Sequence, residues 1–371
     1  MKVLFCTPYL TGEGIVSGGI GIWANNILDY YKTLDSDVSL IPLSFDRRYN
    51  VSAKSTTFDR FFYGLRDYWR PIRASKKLIS EIDVLHLCSS AQLSLYKDLY
   101  LLRMAKRHHV KTVIHFHFGR IPEVMKSGSR EARMIKRVCE VADKVIVMDQ
   151  RSHDALFSEG FSKVSYLPNP LSLEIQENVK NLKDKITRTE NRILYVGHII
   201  PSKGITELVR ACCLVKGIEL HLIGTVTKEY LYELENIAKV KGNGTWFKYI
   251  GKMPHAEVIR EMMAAGIFCL PSYTEGFPNV IIESMACGCS IIATPVGAIP
   301  EMLQFDKRDR CGLKVEVRDV NGLKLQLNEF LSNIGLRSKC RENAIKRVNE
   351  FYSIPVVWNQ LECIWKSALQ E

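Results

Sequence analysis

The sequence lacks several features that would place it outside the ordinary globular proteins. No apolar run approaches the roughly 18 residues that a membrane-spanning helix needs. Eleven cysteines are present, but the sequence has no CxxC pair and no His/Cys cluster with zinc-ligand spacing, so we expect buried, reduced thiols. The N-terminal MKVLFCTPYL has a short apolar run without a following cleavage site, which predicts a first β-strand and no signal peptide.

The positive charge of the chain is concentrated in two segments. The 371 residues carry a formal net charge of +11. Residues 47–77 contain nine Lys/Arg against two Asp/Glu, and residues 97–137 contain eleven against three, so together they exceed the net charge of the whole chain. Aromatic residues are interleaved with the first segment, among them Phe58, Phe61, Phe62, Tyr63, Tyr68 and Trp69. Such a surface fits an anionic membrane, would also fit nucleic acid, and is compatible with simple solvation.

Short apolar runs alternate with longer amphipathic stretches along the chain, which predicts βαβ units and parallel sheets. The predicted strands are 3–6, 38–43, 84–87, 112–118, 144–148, 192–197, 219–224, 246–251, 266–271 and 290–295. The predicted helices are 21–34, 71–81, 98–108, 129–142, 204–215, 228–240, 255–264, 279–287 and a final one over 353–369.

A change of composition divides the alternating pattern in two. After Pro168-Asn169-Pro170 the sequence becomes charged, with few apolar anchors, and the pattern then restarts. We therefore expect an N-terminal Rossmann-like domain over 1–175, a C-terminal one over 176–350, and a terminal helix in 351–371 that packs back on the first domain.

Two predicted strand-to-helix loops contain residues suited to anions. VSGGIGIWANN (16–26) places Gly18, Gly19 and Gly21 before a helix, where glycine lets the backbone approach an oxyanion closely. YVGHIIPSKGITELV (195–209) places Lys203 where it would meet a phosphate at a helix N-terminus. Taken alone, both are compatible with ordinary turns.

A third loop, TEGFPNVIIESMACGCS (274–290), carries Glu275 and Glu283 on either side of a turn. Carboxylates are strong acceptors for sugar diols, so one glutamate would hold a ribose while the other addresses a second sugar. The free N–H groups near residues 277–280 would then lie beside phosphates between the sugars. The small residues 286–290 would let the helix pack closely on its sheet. A carboxylate that simply complements a helix dipole is the structural alternative for either glutamate.

These motifs together resemble the family-4 retaining glycosyltransferases of GT-B fold, over nearly the whole chain and most specifically in 192–323. The similar stretches are EGFPNVIIESMACG with its E-x7-E spacing, VGHIIPSKGITELV, PVGAIPEML, CGLKVEVRDVNGL, FYSIPVVWNQLECIW, SGGIG, HFHFGR and YLPNPL. The resemblance implies an α/β fold in which two Rossmann-like domains face each other across a cleft and a C-terminal helix crosses back to the first domain. It also implies a hexosyltransferase that retains anomeric configuration.

The resemblance assigns roles position by position. Glu283 would bind the donor ribose, Lys203 the diphosphate and Glu275 the transferred sugar, while His117, or alternatively His115, would lie near the reacting sugar. The implied catalytic residues are His117, Glu275 and Lys203. The implied donor-binding residues are Gly18, Gly19, His198, Lys203, Met253, Glu275, Gly276, Phe277, Pro278, Asn279, Val280 and Glu283.

One position departs from the family pattern and one motif is misleading. The family commonly has arginine where this chain has His198, and an imidazole is a weaker diphosphate partner than a guanidinium. Asp35-Ser36-Asp37 imitates a metal-binding DxD, but we interpret it as a solvated turn. No carboxylate is assigned as a covalent nucleophile, so we expect same-face attack by the acceptor hydroxyl. Lysine and helix dipoles would stabilise the leaving group, so we expect no metal.

The resemblance and the basic segments together predict the substrates and location. The donor would be a UDP-sugar, as EGFPN suggests, and the acceptor a polyprenyl-diphosphate-linked saccharide in bacterial lipopolysaccharide, capsule or glycan assembly. The protein would be cytoplasmic, on the inner face of the membrane through segments 47–77 and 97–137, with no nucleic acid partner. The alternatives are a nucleotide-sugar 2-epimerase or phosphorylase-like enzyme of the same fold, and a non-catalytic basic adaptor that binds membrane or nucleic acid.

Overall fold

A computed structural model describes residues 1–7, 19–44, 72–240, 242 and 244–370 of the chain. The chain divides into two compact units. The first comprises Met1–Pro170 and the chain from Ile354 onward, and the second comprises Leu171–Ser353. Gly18 and the basic residues 47–71 lie outside the described residues.

Each unit contains a six-stranded sheet in which all strand pairs are parallel. The strands are β1 (Lys2–Thr7), β2 (Ser39–Ser44), β3 (Val84–Ser89), β4 (Lys111–Phe116), β5 (Lys144–Val147), β6 (Val164–Tyr166), β7 (Thr189–Val196), β8 (Glu219–Ile223), β9 (Phe247–Gly251), β10 (Ala265–Leu270), β11 (Ser290–Ala293) and β12 (Gly312–Lys314). The strand orders are β2-β1-β3-β4-β5-β6 and β12-β11-β10-β7-β8-β9.

The helices join successive strands and cover the sheets. They are α1 (Gly19–Tyr31), α2 (helical over the described residues 72–78), α3 (Ser94–Arg107), α4 (Ile121–Ser127), α5 (Arg130–Val141), α6 (Gln150–Ser158), α7 (Leu173–Leu182), α8 (Ile205–Cys213), α9 (Lys228–Lys239), α10 (His255–Ala264), α11 (Asn279–Ala286), α12 (Ile299–Leu303), α13 (Val320–Ser332), α14 (Ile334–Arg347) and α15 (Ile354–Gln370). Short 3-10 turns cover Ile79–Glu81 and Pro201–Lys203, and a π-helical turn covers Val348–Tyr352. Within the described residues, no helix combines the length and hydropathy needed to cross a membrane.

The strand order explains where loops gather in the second unit. Strands β8 and β9 extend the sheet on one side of β7, whereas β10 and β11 extend it on the other. The chain therefore changes direction between β7 and β10. In doubly wound sheets this switch point leaves a crevice at the carboxyl ends of the strands, where ligands bind.

The C-terminal helix α15 packs on the first unit, as the sequence predicts. Val357, Trp358, Leu361 and Trp365 join the buried cluster that contains Phe5 of β1 and the α1 side chains. Burying these large apolar and aromatic surfaces stabilises the packing of α15 against α1, β3 and β4. The predicted fold class, α/β with two Rossmann-like units and a returning helix, is thus confirmed.

The structure also corrects the predicted elements in detail. The edge strands β6 and β12 are three residues each, too short to show a periodic pattern. The charged stretch after Pro170 contains α7, which packs against α10 in the second unit. Strand β4 ends at Phe116, two residues before the predicted end, so that His117 lies just beyond the strand.

Candidate functional site

The loop after β7 and the loop after β10 are bonded to each other at the switch point of the second sheet. The backbone N–H of Tyr273 donates to the carbonyl of Ser202 at 2.9 Å. Gly204 follows the 3-10 turn with φ +71°, and a Cβ atom there would lie 2.1 Å from the carbonyl oxygen of Pro271. Only glycine combines this left-handed conformation with so close an approach, so Gly204 fixes the distance between the loops.

This loop packing brings Lys203 and Glu275 into direct contact. The Lys203 ammonium donates to Glu275 Oε1 at 2.6 Å, and the Ser272 hydroxyl donates to the same oxygen at 2.7 Å. The two charged side chains are only 26% and 12% exposed. A lysine has three donors, so the pair leaves the Lys203 ammonium able to bind an anion as well.

A second contact fixes the backbone around Glu275. Gly297, in the loop after β11, has φ +57°, and a Cβ atom there would lie 2.4 Å from the carbonyl oxygens of Glu275 and Gly276. The Ala298 N–H donates to the Gly276 carbonyl at 2.8 Å. The PVGAIPEML stretch singled out in the sequence therefore supports the EGFPN loop from behind.

Helix α11 begins where this loop ends. Pro278 is its N-cap, and a proline ring carries no hydrogen-bonding group that could satisfy the first amides of the helix. Phe277 is buried, with its ring centroid 6.2 Å from that of Tyr352, which anchors the turn. The positive end of the α11 dipole is thus held beside the loop that contains Glu275, as an anion site requires.

Glu283 lies in the second turn of α11 and contacts a residue that the sequence had not indicated. His255 Nε2, at the start of α10, is 3.2 Å from Glu283 Oε1. Glu283 is 16% exposed and His255 is 50% exposed. The hydrogen bond to the Glu283 carboxylate raises the pKa of His255 above its ordinary value.

Two further residues of the second unit that the sequence predicts to bind the donor also lie in loops at the carboxyl ends of strands. His198 follows β7 and is exposed, with Nδ1 2.9 Å from the Thr225 hydroxyl beyond β8. Met253 follows β9 and is half-buried. These positions leave His198 accessible to a ligand, with Thr225 orienting its ring.

In the first unit, His115 and His117 occupy different environments. His115 is fully buried within β4, whereas His117 lies just beyond that strand and is partly exposed, although its Nε2 is buried. Their ring centroids are 3.9 Å apart, and each lies 4.7 Å from that of Trp23. Burial lowers the pKa of His117 to about 3 and that of His115 well below its usual value, so both rings are neutral near pH 7.

A third buried imidazole, that of His86, lies between His115 and the C-terminal helix α15. The Trp365 indole N–H donates to His86 Nδ1 at 3.0 Å, so the proton of the neutral His86 ring is on Nε2. His86 Nε2 and both nitrogens of His115 are buried without a hydrogen-bond partner among the described residues. Gly19, a predicted donor-binding residue of this unit that lies within the described part of the chain, is the first residue of α1.

His86, Cys88 and His115 could in principle converge on a metal ion, because their ligand atoms lie within 4.8 Å of one another. Their chemistry does not fit one. The lone pair on His86 Nδ1 already accepts from Trp365, and burial raises the pKa of the Cys88 thiol, which must lose its proton to bind a metal.

Sequence reasoning did not find Ser272, Thr225 or His255. Ser272 lies two residues beyond the end of β10 and three residues before Glu275. This position at a strand end could have indicated Ser272 from the sequence. Thr225 and His255 follow other strands, and only the sheet order brings them to His198 and Glu283.

The sequence of the second unit matches a described family. Residues 178–347 match the glycosyl transferases group 1. An uncharacterized glycosyltransferase of Methanocaldococcus jannaschii is 24% identical over 349 residues, 92% of each chain. The capsular polysaccharide biosynthesis glycosyltransferase CapM of Staphylococcus aureus is 27% identical over 191 residues, 48% of this chain and 46% of CapM. The N-acetylgalactosamine-N,N'-diacetylbacillosaminyl-diphospho-undecaprenol 4-alpha-N-acetylgalactosaminyltransferase of Campylobacter jejuni is 28% identical over 215 residues, 56% of this chain and 54% of that enzyme.

Solved structures agree on the fold. Sucrose-phosphate synthase of Thermosynechococcus elongatus superposes with a TM-score of 0.73 at 17% identity, over 100% of this chain and 99% of that one. HepE of Anabaena, crystallised with UDP-glucose, gives a TM-score of 0.69 at 16% identity, over 99% and 100% of the two chains. The chain therefore has the GT-B fold, and its residues 178–347 match the glycosyl transferases group 1 family.

Proposed function

We propose that this glycosyltransferase transfers a hexose or N-acetylhexosamine from a UDP-sugar to a lipid-linked saccharide, in the synthesis of a bacterial surface polysaccharide or glycan. The observation that carries the proposal is the Lys203–Glu275 contact at 2.6 Å beside the start of α11, with Glu283 one turn further along that helix. One edge of the sheet thus presents a cation, the positive end of a helix dipole and two carboxylates. These are the groups that a sugar–diphosphate–ribose chain needs.

Each part of the donor has a matching group in this proposal. Glu283 accepts hydrogen bonds from the ribose diol, and Lys203, with the backbone of residues 277–280, binds the diphosphate. Glu275 contacts the transferred sugar, held in place by Ser272. Met253 lies beside the base, and His198 adds a donor to the diphosphate.

The transfer breaks the bond between the anomeric carbon and the diphosphate oxygen and forms one to the acceptor hydroxyl oxygen on the same face. The hydroxyl proton passes to the departing diphosphate. Lys203 and the α11 dipole stabilise the negative charge that develops on that leaving group. A neutral His117 can form hydrogen bonds, but its lowered pKa makes it a weak base. On this account no metal is required.

The acceptor and the membrane are assigned to the first unit. Tyr96, Tyr100, Arg103 and Arg107 of α3 are spaced so that they share one face of the helix, and both tyrosines are exposed. Aromatic and basic side chains on one face fit an anionic lipid surface. CapM and the Campylobacter jejuni enzyme carry capsule and diphospho-undecaprenol in their names, which supports a lipid-linked acceptor for this chain.

The proposal is tested first by nucleotide binding. We would measure the dissociation constants of UDP, GDP and their sugars for wild type, Glu283→Ala and Glu229→Ala by calorimetry. UDP should bind the wild type, and loss of the ribose hydrogen bonds should weaken it by about 10- to 100-fold in Glu283→Ala. Glu229→Ala, which removes an exposed glutamate from the first turn of α9, should bind like wild type.

A second arm measures transfer to a polyprenyl-diphosphate saccharide in anionic and in neutral vesicles. Faster transfer in anionic vesicles supports the membrane assignment. Absence of nucleotide binding, even with acceptor present, would overturn the proposed function. An epimerised nucleotide-sugar formed without acceptor would replace it with the epimerase alternative.

A further inference from the structure

His255 stands between two parts of the proposed donor site. It is the first residue of α10 and lies two residues after Met253, which the proposed function places beside the base. Its Nε2 contacts Oε1 of Glu283, the carboxylate assigned to the ribose, at 3.2 Å. The His255 side chain thus connects the loop after β9 to helix α11.

The contact restricts how Glu283 can present its oxygens. A carboxylate has two oxygens with about four acceptor positions, and a terminal carboxylate torsion is otherwise broad. By holding Oε1, the His255 N–H fixes the plane of the group and leaves Oε2 and the second position of Oε1 for other donors. A ribose presents two adjacent hydroxyls, which need two acceptors in a fixed arrangement.

We propose that His255 is a positioning residue that orients Glu283 and thereby sets the preference of the site for a ribonucleotide over a 2′-deoxyribonucleotide. This inference rests on the proposed function, because it assumes that Glu283 binds the ribose. His255 need not touch the donor itself; its effect passes through the carboxylate.

The charges around His255 give the orientation a pH dependence. Glu283 from α11 and Glu174 from α7 both favour its protonated form, and on its own helix Glu257 lies 3.7 Å from Arg260. The protonated ring donates a charge-assisted hydrogen bond, which is stronger than a neutral one. As the pH rises through the raised pKa of His255, above about 6.5, the hold on Glu283 weakens and the ribose preference falls.

The test uses the full chain and whichever of UDP or GDP binds the wild type, with its 2′-deoxy analogue. Dissociation constants are measured by calorimetry at pH 6 and pH 8.5 for wild type, His255→Ala, His255→Gln, Glu283→Ala and Arg260→Gln. Arg260→Gln is the control, because it removes an exposed side chain from the same helix. Thermal unfolding of each variant verifies that it is folded.

Loss of the oriented acceptor should weaken the ribonucleotide about 10-fold in His255→Ala. The 2′-deoxy analogue should change by less than about twofold, so the ratio of the two constants shrinks. His255→Gln retains a neutral donor and should keep most of the ratio while losing its change with pH. Arg260→Gln should keep both.

Two results would overturn the inference while leaving the proposed function intact. Tighter ribonucleotide binding in His255→Ala would mean that His255 competes with the ribose for Glu283. An unchanged ratio, or equal weakening of both nucleotides, would mean that the contact has no role in ribose selection. If Glu283→Ala binds like wild type, the ribose assignment in the proposed function fails instead, so the two failures are distinguishable.

Discussion

The pKa of a histidine in the second unit and the pKa values of buried histidines in the first unit are shifted in opposite directions. In the second unit, the half-exposed His255 has its pKa raised by a hydrogen bond to Glu283. In the first unit, burial lowers the pKa of His86 and of His117 to about 3. The same side chain is therefore held near its charged form in one unit and kept neutral in the other.

The difference follows from what surrounds each group. The second unit places Lys203, Glu275, Glu283 and His255 in loops and helix starts at the strand ends, where opposite charges lie within hydrogen-bond distance. The first unit places His86 on β3, His115 on β4 and His117 just beyond β4, in contact with tryptophan rings, where a charge would be desolvated. One site stabilises charge, as an anionic donor requires, and the other excludes it.

The largest expected effect removes the cation from the charged site. Lys203→Ala should lower kcat about 100- to 1000-fold, because the leaving diphosphate loses a preorganised charge while Glu275 remains. Steady-state transfer from the UDP-sugar is the measurement. Lys248→Ala is the matched control, since Lys248 is a half-exposed lysine of β9 that also pairs with a glutamate, Glu219. A loss smaller than tenfold would show that Lys203 has only a structural role.

The second prediction concerns how acid changes the stability of the first unit, whose buried histidines are neutral. Folded His86 and His117 stay unprotonated down to about pH 3, whereas the unfolded chain takes up protons below about 6.5, so the free energy of unfolding should fall as the pH falls below 6.5. The limiting slope is about 1.4 kcal/mol per pH unit for each such histidine. Urea unfolding followed by tryptophan fluorescence measures it, because Trp23, Trp358 and Trp365 are core residues of this unit.

The variant His115→Phe tests the source of that slope. Phenylalanine keeps the aromatic packing against Trp23 but has no nitrogen to protonate, so the loss of stability between pH 7.5 and 5.5 should be smaller. His108→Gln, at an exposed position after α3, should leave the slope unchanged. Equal slopes in His115→Phe and wild type would exclude the buried histidine as a contributor.

The two sheets and several residues of the charged site could be predicted from the sequence. The contacts between charged side chains in that site could not. The alternation of strands and helices predicted both sheets, and the motifs brought attention to Lys203, Glu275 and Glu283 because such loops follow buried strands. Spacing along the chain cannot show that Lys203 and Glu275 bond to each other across 72 positions. Nor can it show that His255 meets Glu283, since both depend on the order of strands in the sheet.

The histidine segment HFHFGR shows the same limit in the first unit. Alternation indicates that His115 and His117 share one side of the strand, but both were compatible with the active-site role. Only the end of β4 at Phe116 distinguishes them, by leaving His115 within the strand and His117 beyond it. The burial that neutralises them comes from α1 and α15, which are distant in sequence.

The smallest predicted effect concerns the hydrogen bond between the Trp365 indole and the buried His86 of the first unit. Trp365→Phe removes the N–H that donates to His86 Nδ1 and leaves a buried acceptor without its partner. Trp358→Phe is the matched control, because Trp358 is equally buried on α15 and its ring lies 5.8 Å from that of Trp365. Both variants lose the same volume, so the excess loss of unfolding free energy in Trp365→Phe, expected at about 1–3 kcal/mol, reports the unsatisfied imidazole. Nitrogen-15 NMR of the histidine rings should show the Nε2–H form of His86 in wild type and a mixture of tautomers in Trp365→Phe. Equal losses and an unchanged tautomer would mean that packing alone, without the indole hydrogen bond, holds His86 in place.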